Sequence, residues 1–302
     1  MLTKCEITFH DLDTNVILSG HLLKGSVEFG LEKENEFRDI YVNITGKTKI
    51  EISHSKSTNK LSKIHLDEKV ALTTTKSADG KITLSAGYHK FDFEIMLPLT
   101  LPSTFNGSSG STEYKATLVL DSSFFSKESF SKEFTVIKPL DINNIPSLAL
   151  PLIVEKNTFI GFYLLSCFYS CCVAKSVEIK VKSSKTGFTP KQVMDLEISV
   201  NNNSNRKIDK FLVRLIKTVE YTIQGKIIFC FPDTSIERTA LMQYETRGCN
   251  EHTDEKIELA VGFPPTEPTD VTRKDIKVTY SIEVREIPNF LCTTLGTELG
   301  NT

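Results

Sequence analysis

The stretch Gly25-Ser-Val-Glu-Phe29, followed by a polar run and by the alternating segment Phe37 to Thr45, recurs in the second half of the chain. With a shift of 171 residues, Val27 falls on Ile198 and the alternating segment falls on Ile208 to Ile216. Self-similarity at a fixed spacing is the signature of a repeated structural unit. The sequence therefore predicts two domains of the same kind in tandem.

A second set of matches follows further along the chain, at a shift of 166 residues. Six positions recur in it: Phe91, Phe93, Ile95, Leu97, Pro98 and Tyr114 return as Ile257, Leu259, Val261, Phe263, Pro264 and Tyr280. Apolar residues alternate with polar ones around these positions, which is typical of half-buried strands. No stretch of a dozen residues sustains an amphipathic helix. The pattern indicates an all-β chain of two β-sandwiches, with residues 53–69 forming a long hairpin excursion or loop.

Composition narrows the class of protein. The 302 residues suffice for two domains with separate cores. Charge is balanced, with 36 basic and 38 acidic groups, so nonspecific nucleic-acid binding is not expected. Met1 to His10 alternates like a strand and lacks the plan of a signal peptide, and seven unevenly spaced cysteines do not suggest a disulfide framework. These features predict a cytoplasmic protein with reduced thiols.

Three prolines between Pro139 and Pro151 suit an extended connection between the domains. We therefore predict an N-terminal sandwich over residues 1–139, a connector and first strand over 140–175, and a C-terminal sandwich over 176–302. The uncharged run between Lys156 and Lys175 is at the short edge of what could cross a bilayer, and Ser, Thr and Cys dilute it. A buried connector is the favoured interpretation of this run, and a membrane span or reversible acylation of Cys171 or Cys172 are minority ones.

A family resemblance rests on residues 87–121. Gly87-Tyr-His-Lys-Phe-Asp-Phe-Glu-Ile-Met-Leu-Pro98, then Leu101-Pro-Ser-Thr-Phe105, a pair of glycines and Tyr114, resembles the arrestin N-terminal domain. The chain looks most like the arrestin-domain-containing proteins, or α-arrestins. Further segments are similar to that family in the same order: Leu140 to Pro146, the cluster Cys167, Cys171 and Cys172, Gly187 to Pro190, and Asn201 to Ser204.

The resemblance implies two tandem arrestin-like, immunoglobulin-type β-sandwiches joined by a short linker. It implies a non-enzymatic adaptor that binds the cytoplasmic parts of membrane-protein cargo for endocytic or ubiquitin-dependent sorting, with roles in protein transport and signalling regulation. Such a protein associates at most peripherally with the plasma membrane or endosomes. A retromer-type sorting subunit is the alternative among binding proteins. A zinc-dependent or hydrolytic β-sandwich enzyme is the alternative from another class.

The sequence departs from the family pattern in three places. Pro190-Lys191-Gln192 stands where the family usually has Pro-Gly-Glu, so the turn there needs a conformation that lysine accepts. Leu291 to Thr302 has no good counterpart of the family's last strand, and no Pro-Pro-x-Tyr motif occurs in the sequence. That motif engages WW domains of ubiquitin ligases. The expectation is a protein that does not recruit such a ligase itself. It would bind cargo without committing it to ubiquitylation, or act through a relative that carries the motif.

Candidate sites for chemistry are few. The strongest is a set of thiols with one imidazole, in which the spacing Cys249-x-x-His252 suits zinc: Cys167, Cys171, Cys172, Cys230, Cys249 and His252. Cysteines scattered in β-cores more often act as small apolar residues, so we predict no metal, no cofactor and no catalytic residue. Asp92 and Glu94 share one face of a strand, which is expected of a solvated face and not of a general acid and base. Lys180, Lys182 and Lys185 also face one way, and a solvated face is favoured over contact with acidic lipid.

Overall fold

The computed structural model describes most of the chain. It covers residues 2–12, 14–55, 57–73, 77, 79–123, 126–140, 145–160, 175–189, 191–224, 232–270, 272–287 and 300–301. Several predictions fall on residues outside these ranges, so the structure does not address them. They concern Cys167, Cys171, Cys172, Cys230, most of the uncharged run after Lys156, and most of Leu291 to Thr302.

Strands dominate the described residues, and the one described helix is a single 3₁₀ turn at Pro146–Ala149. The strands are β1 (Leu2–Phe9), β2 (Val16–Leu18), β3 (Leu22–Leu31), β4 (Asn35–Phe37), β5 (Asp39–Ser53), β6 (Thr58–Ala71), β7 (Ile82–Leu84), β8 (Gly87–Met96), β9 (Phe105–Asn106), β10 (Gly110–Ser123), β11 (Ser126–Ile137), β12 (Leu152–Ile160), β13 (Lys175–Ser183), β14 (Gly187–Phe188), β15 (Val193–Asn202), β16 (Ile208–Ile223), β17 (Asp233–Cys249), β18 (Thr253–Gly262), β19 (Ile276–Ile287) and β20 (Gly300–Asn301). The all-β prediction is confirmed.

The chain divides into two compact units. The first contains Met1–Pro139 together with Ile223–Ser235, and the second contains Leu140–Thr222 and Ile236–Thr302. The domain boundaries predicted from the sequence remain a prediction.

In the first unit, a sheet ordered β1-β3-β8 packs against a sheet ordered β2-β11-β10-β5-β6. Both sheets contribute alternate apolar side chains to one buried cluster. Val27, Phe29 and Phe93 come from the smaller sheet, while Ile40 and Val42 come from the larger. The core therefore lies between two sheets, as expected for a sandwich.

The second unit repeats this plan. A sheet ordered β12-β13-β15-β18 and a sheet ordered β17-β16-β19 carry its buried residues. Leu196 and Ile198 of β15 are buried on one sheet, and Phe211 and Val213 of β16 are buried on the other. Each of these strands alternates buried and less buried positions, because successive strand residues point to opposite faces of a sheet.

The internal repeat extends to the partners of individual residues. Val27 pairs with Phe91 in the first unit, and their matches Ile198 and Ile257 pair in the second. A buried tyrosine recurs as well. The Tyr114 hydroxyl donates a hydrogen bond to the Pro102 carbonyl oxygen at 2.7 Å, and the Tyr280 hydroxyl donates to the Glu267 carbonyl oxygen at 2.6 Å. The predicted repeat is confirmed at the level of register.

Residues 53–69 belong to a long β-hairpin, which is one of the two forms predicted for them. They include the end of β5 and most of β6, and β6 pairs with β5 along its whole length. The apolar residues of this stretch are scattered because β6 lies at the edge of its sheet, where most positions are exposed. Pairing with β5, and not burial, keeps it extended.

The turn at Lys191 carries backbone strain. Lys191 has φ 70°, in the left-handed region that disfavours residues with a Cβ, and its N–H donates to the Phe263 carbonyl oxygen at 2.8 Å. We expect Lys191→Gly to stabilise the second unit by about 0.5–1 kcal/mol, since glycine adopts this φ without strain but gains entropy when unfolded. Chemical denaturation measures the change. Lys191→Ala keeps the strain and is the control; equal stability of the two variants would contradict the explanation.

Candidate peptide-binding edge

Cys249 and His252 do not converge on a common centre. The buried Cys249 thiol lies 3.3 Å from the Thr253 carbonyl oxygen, and burial raises its pKa, which disfavours the thiolate that zinc requires. His252 Nε2 lies 2.7 Å from the Asn205 side-chain oxygen. Within the ranges that the structure describes, no group of three His, Cys, Asp or Glu side chains could hold a metal ion. The other thiols of the proposed set lie outside the described residues.

A second thiol, Cys5 of β1, is also a poor nucleophile. Partial burial raises its pKa to about 11. The thiolate fraction at neutral pH is therefore very small, and the side chain packs against the core of the first unit.

One polar cluster was missed by sequence reasoning. At the β-bulge between β5 and β6, His65 Nε2 lies 2.7 Å from the Thr48 hydroxyl, which lies 2.7 Å from the Thr112 hydroxyl. A hydroxyl beside an imidazole is the arrangement of a nucleophile and its base. Thr48 and Thr112 are 0% exposed, however, so a substrate has no access to either hydroxyl. This cluster satisfies buried polar groups.

Exposed sheet edges are the remaining candidates, because an edge strand presents unpaired backbone groups to which an extended peptide can add. Two edges of the first unit are blocked. β1 is bulged at Lys4, and the Lys132 ammonium donates to its Ile7 carbonyl oxygen at 2.7 Å. β6 is bulged at His65 and carries lysines along its length. Bulges and edge lysines are common protections against strand addition.

The two edges of the second unit's sheet β12-β13-β15-β18 carry protections of the same kind. β12 turns a charged residue inward, because Lys156 shares the face of Leu152 and Val154 and pairs with the buried Ile179. On β18, the Arg247 guanidinium donates to the outward carbonyl oxygen of Lys256 at 3.0 Å. These two edges therefore present an interrupted row of backbone groups.

The edge of β8 carries none of these protections in the described part of the chain. It pairs with β3 without a register shift from Leu22–Met96 to Leu31–Gly87. The Leu97 N–H donates to the His21 carbonyl oxygen at 3.0 Å, which fixes the alternation of the ladder. Odd-numbered residues of β8 consequently bond β3, and the even-numbered residues from Tyr88 to Met96 direct N–H and C=O groups outward.

The side chains beside these outward groups form a mixed surface. Lys90 pairs with Glu28 at 2.8 Å, and this hydrogen bond lowers the pKa of Glu28. Asp92 and Glu94 follow on the same face, as the sequence predicted, and have no ion pair among the described residues. The edge is therefore polar and acidic along its middle.

Apolar side chains stand at both ends of β8. Tyr88 is 79% exposed at one end, and Met96 is 62% exposed at the other, beside its exposed cross-strand partner Leu22 and the exposed Leu99. On the opposite face of β8, Phe91 stacks on Phe29 with ring centroids 6.0 Å apart and supports the strand from the core. An added strand would meet a rigid backbone row with an apolar contact at each end.

Among the helices that the structure describes, none has the length and apolar character needed to cross a bilayer. The membrane-span interpretation of the run after Lys156 falls mostly on residues outside the described ranges.

Comparison with known proteins gives matches over both units. The family described as Arrestin (or S-antigen), N-terminal domain, matches residues 5–143, and Arrestin (or S-antigen), C-terminal domain, matches residues 174–299. Arrestin domain-containing protein 1 of Mus musculus is 25% identical over 203 residues, which are 67% of this chain and 44% of that protein. Arrestin domain-containing protein 17 of Caenorhabditis elegans is 29% identical over 199 residues, 65% of this chain and 45% of that protein. The chain spans less than half the length of these curated relatives.

Proposed function

Because the chain belongs to the arrestin family and is α-arrestin-like, we propose that it is a non-enzymatic adaptor that binds cytoplasmic segments of membrane-protein cargo for endocytic or ubiquitin-dependent sorting. Members of this family are generally non-enzymatic adaptors, and the chain carries both of the family's domains. Its place of action is the cytoplasm, with peripheral recruitment to the plasma membrane or endosomes. A ubiquitin ligase joins the complex indirectly, through an α-arrestin relative.

The observation that supports cargo binding most directly is the open edge of β8. The five even-numbered residues from Tyr88 to Met96 offer outward backbone groups at every second position, so an extended segment of about nine residues can pair with all of them. Cytoplasmic tails and loops are extended and have free backbone groups of their own, which suits strand addition. Backbone pairing supplies affinity, and the side chains of β8 select among sequences.

The test compares two substitutions at one position. Asp92→Pro removes an outward N–H that β3 does not use, and proline is tolerated where the N–H faces away from the ladder. Asp92→Ala removes the same carboxylate but keeps the N–H. In cells, proximity labelling of membrane proteins by the full chain is expected to fall about fivefold to tenfold for Asp92→Pro and to change little for Asp92→Ala.

Controls separate a lost edge from a lost fold. Thermal unfolding of purified Asp92→Pro should keep the cooperative transition of the parent, since the ladder with β3 is intact. Unchanged labelling by a folded Asp92→Pro variant would refute the role of this edge. Absence of membrane proteins among the partners of the unmodified chain would refute the adaptor proposal itself, and isolation in a stable large assembly would favour the retromer-type alternative.

A further inference from the structure

Of the three lysines predicted to share one face, Lys180 and Lys182 lie on the outer face of the second unit's sheet β12-β13-β15-β18. The prediction was wrong for Lys185, which follows the end of β13. A shallow groove of about 590 Å³ runs across this face, lined by Pro151, Ile153, Lys182, Asp195, Glu197 and Glu258. A second groove of about 430 Å³ continues along the same face, lined by Glu178, Lys180, Asn201, Asp254 and Lys256. Both grooves lie within one unit and one sheet, so their geometry depends on a regular antiparallel ladder.

Each lysine of this face is engaged by a carboxylate. Lys180 bonds Glu155, Lys182 lies 3.5 Å from Glu197, and Lys256 lies 2.9 Å from Glu197. The hydrogen bond from Lys256 lowers the pKa of Glu197, although burial opposes it. Lys185 is occupied elsewhere, since its ammonium donates to the Gln192 side-chain oxygen and lies over the Phe188 ring. The lysine run therefore offers no basic surface.

The net charge of this face is negative, although the run of lysines in the sequence suggested a positive charge. Three lysines share the face with six carboxylates, Glu155, Glu178, Asp195, Glu197, Asp254 and Glu258. Within the described residues Glu178, Asp195 and Asp254 have no ion pair, so the face carries about three uncompensated negative charges. A negative groove repels the headgroups of anionic lipids and attracts Lys and Arg.

Two further features match a basic peptide. The buried side-chain oxygen of Asn201, in the second groove, has no hydrogen-bond donor, and a Lys or Arg N–H would supply one. The first groove has an apolar floor that includes Pro151, Ala260 and Ile153, which is 55% exposed. The aliphatic stems of Lys and Arg, or apolar residues between them, pack on such a surface while their charged ends reach the carboxylates.

We infer that this face binds a Lys/Arg-rich extended segment with apolar residues among its basic ones. The segments that fit are the juxtamembrane cytoplasmic stretches of membrane proteins, where Lys and Arg are enriched beside the apolar span. The inference rests on the proposed function for the source of the segment. It adds a second contact, on the second unit, whose electrostatic selectivity is separate from backbone pairing at β8.

The test uses the full chain and a labelled ten-residue peptide of alternating Arg and Leu. The variant Asp195→Lys with Asp254→Lys reverses two exposed carboxylates that have no ion pair, so no existing pair is broken. Glu68→Lys with Glu128→Lys changes the net charge equally on the exposed surface of the first unit and is the matched control. Fluorescence anisotropy measures binding at low and at physiological salt, beside a Glu-Leu peptide and phosphatidylserine vesicles.

We expect the unmodified chain to bind the Arg-Leu peptide, more weakly as salt rises, and not the Glu-Leu peptide or the vesicles. The groove variant should lose at least about tenfold in affinity, and the control pair less than about twofold. Equal losses in both variants would overturn the site in favour of the protein's overall field. Preference for the vesicles would overturn the peptide assignment.

The outcomes also separate this inference from the proposed function. Peptide binding that survives the groove variant but is lost in Asp92→Pro would place the contact at β8 and overturn the groove. If Asp92→Pro loses cargo labelling and the groove variant has no effect, the adaptor proposal is supported and the groove inference is overturned. Tight peptide binding by the groove in a chain that labels no membrane protein would support the groove's chemistry and refute the adaptor.

Discussion

Replacing Gly248 by alanine is expected to destabilise the second unit by about 3 kcal/mol. A Cβ at position 248 would overlap the Ile208 carbonyl oxygen and would lie 2.5 Å from the Asp209 carbonyl carbon. Both obstacles are backbone atoms of the start of β16, so no side-chain rotation relieves the overlap. The neighbouring strands β16 and β17 must move apart, and the buried Ile208 and Phe211 lose contacts as they do so.

Gly262→Ala is the matched control for this prediction. Gly262 ends β18 in the same unit, and a Cβ there would meet nothing within 4 Å. Chemical denaturation of the full chain should show a shifted second-unit transition for Gly248→Ala and little change for Gly262→Ala. A Gly248→Ala protein as stable as its parent would show that β16 and β17 are not in close contact at this point.

Glu286→Met is expected to stabilise the second unit by about 2 kcal/mol at neutral pH. Glu286 is 3% exposed and shares the core face of β19 with Tyr280, Ile282 and Val284. One of its carboxylate oxygens is buried without a hydrogen-bond partner. Burial raises the pKa of Glu286, and the charge of Lys156 opposes this only in part. Methionine has a similar shape and no charge to desolvate.

The gain should depend on pH with a definite sign. Because the folded-state pKa of Glu286 is raised, the folded protein binds more protons than the unfolded one above the ordinary value of about 4.5. The stability of the parent therefore falls as pH rises from that value through the raised pKa. The Glu286→Met variant does not lose stability in this way. Its free energy of unfolding should therefore exceed that of the parent only slightly in acid and by the full amount at neutral pH. A constant advantage at all pH values would contradict an ionisation effect.

Glu283→Met on the same strand is the control of opposite sign. Glu283 is 1% exposed, yet it points to the other face of β19, where Arg285 donates at 2.6 Å and Arg214 donates as well. Burial alone would raise the pKa of Glu283, but the two guanidinium groups lower it. Its stabilising contribution is present above the ordinary pKa and lost as pH falls through the lowered one. Removing it should cost about 3 kcal/mol, since two partly buried arginines lose their partner.

The sequence by itself determined the strands, the repeat and the family. Alternation places Phe91 and Phe93 on one face wherever the strand lies, because the period of two is a property of the backbone. Matching cores need matching apolar positions, so the pairs Val27–Phe91 and Ile198–Ile257 were visible as a sequence shift before their contact was known. The unusual Lys191 in a turn that the family usually fills with glycine was visible in the same way.

Only the tertiary structure decided which strand edges are open, and what charge each face carries. The order of strands in a sheet decides which strands lie at its edges, so the local sequence does not distinguish β8 from β18. The difference appears only in the fold, where the Arg247 guanidinium occupies the Lys256 carbonyl oxygen of β18. In the sequence, Lys180 and Lys182 suggest a basic surface, because the carboxylates of β12, β15 and β18 that surround them in the fold are distant along the chain. Electrostatic sign and backbone exposure depend on neighbours across strands, and pairing across strands is the information that a linear sequence does not display.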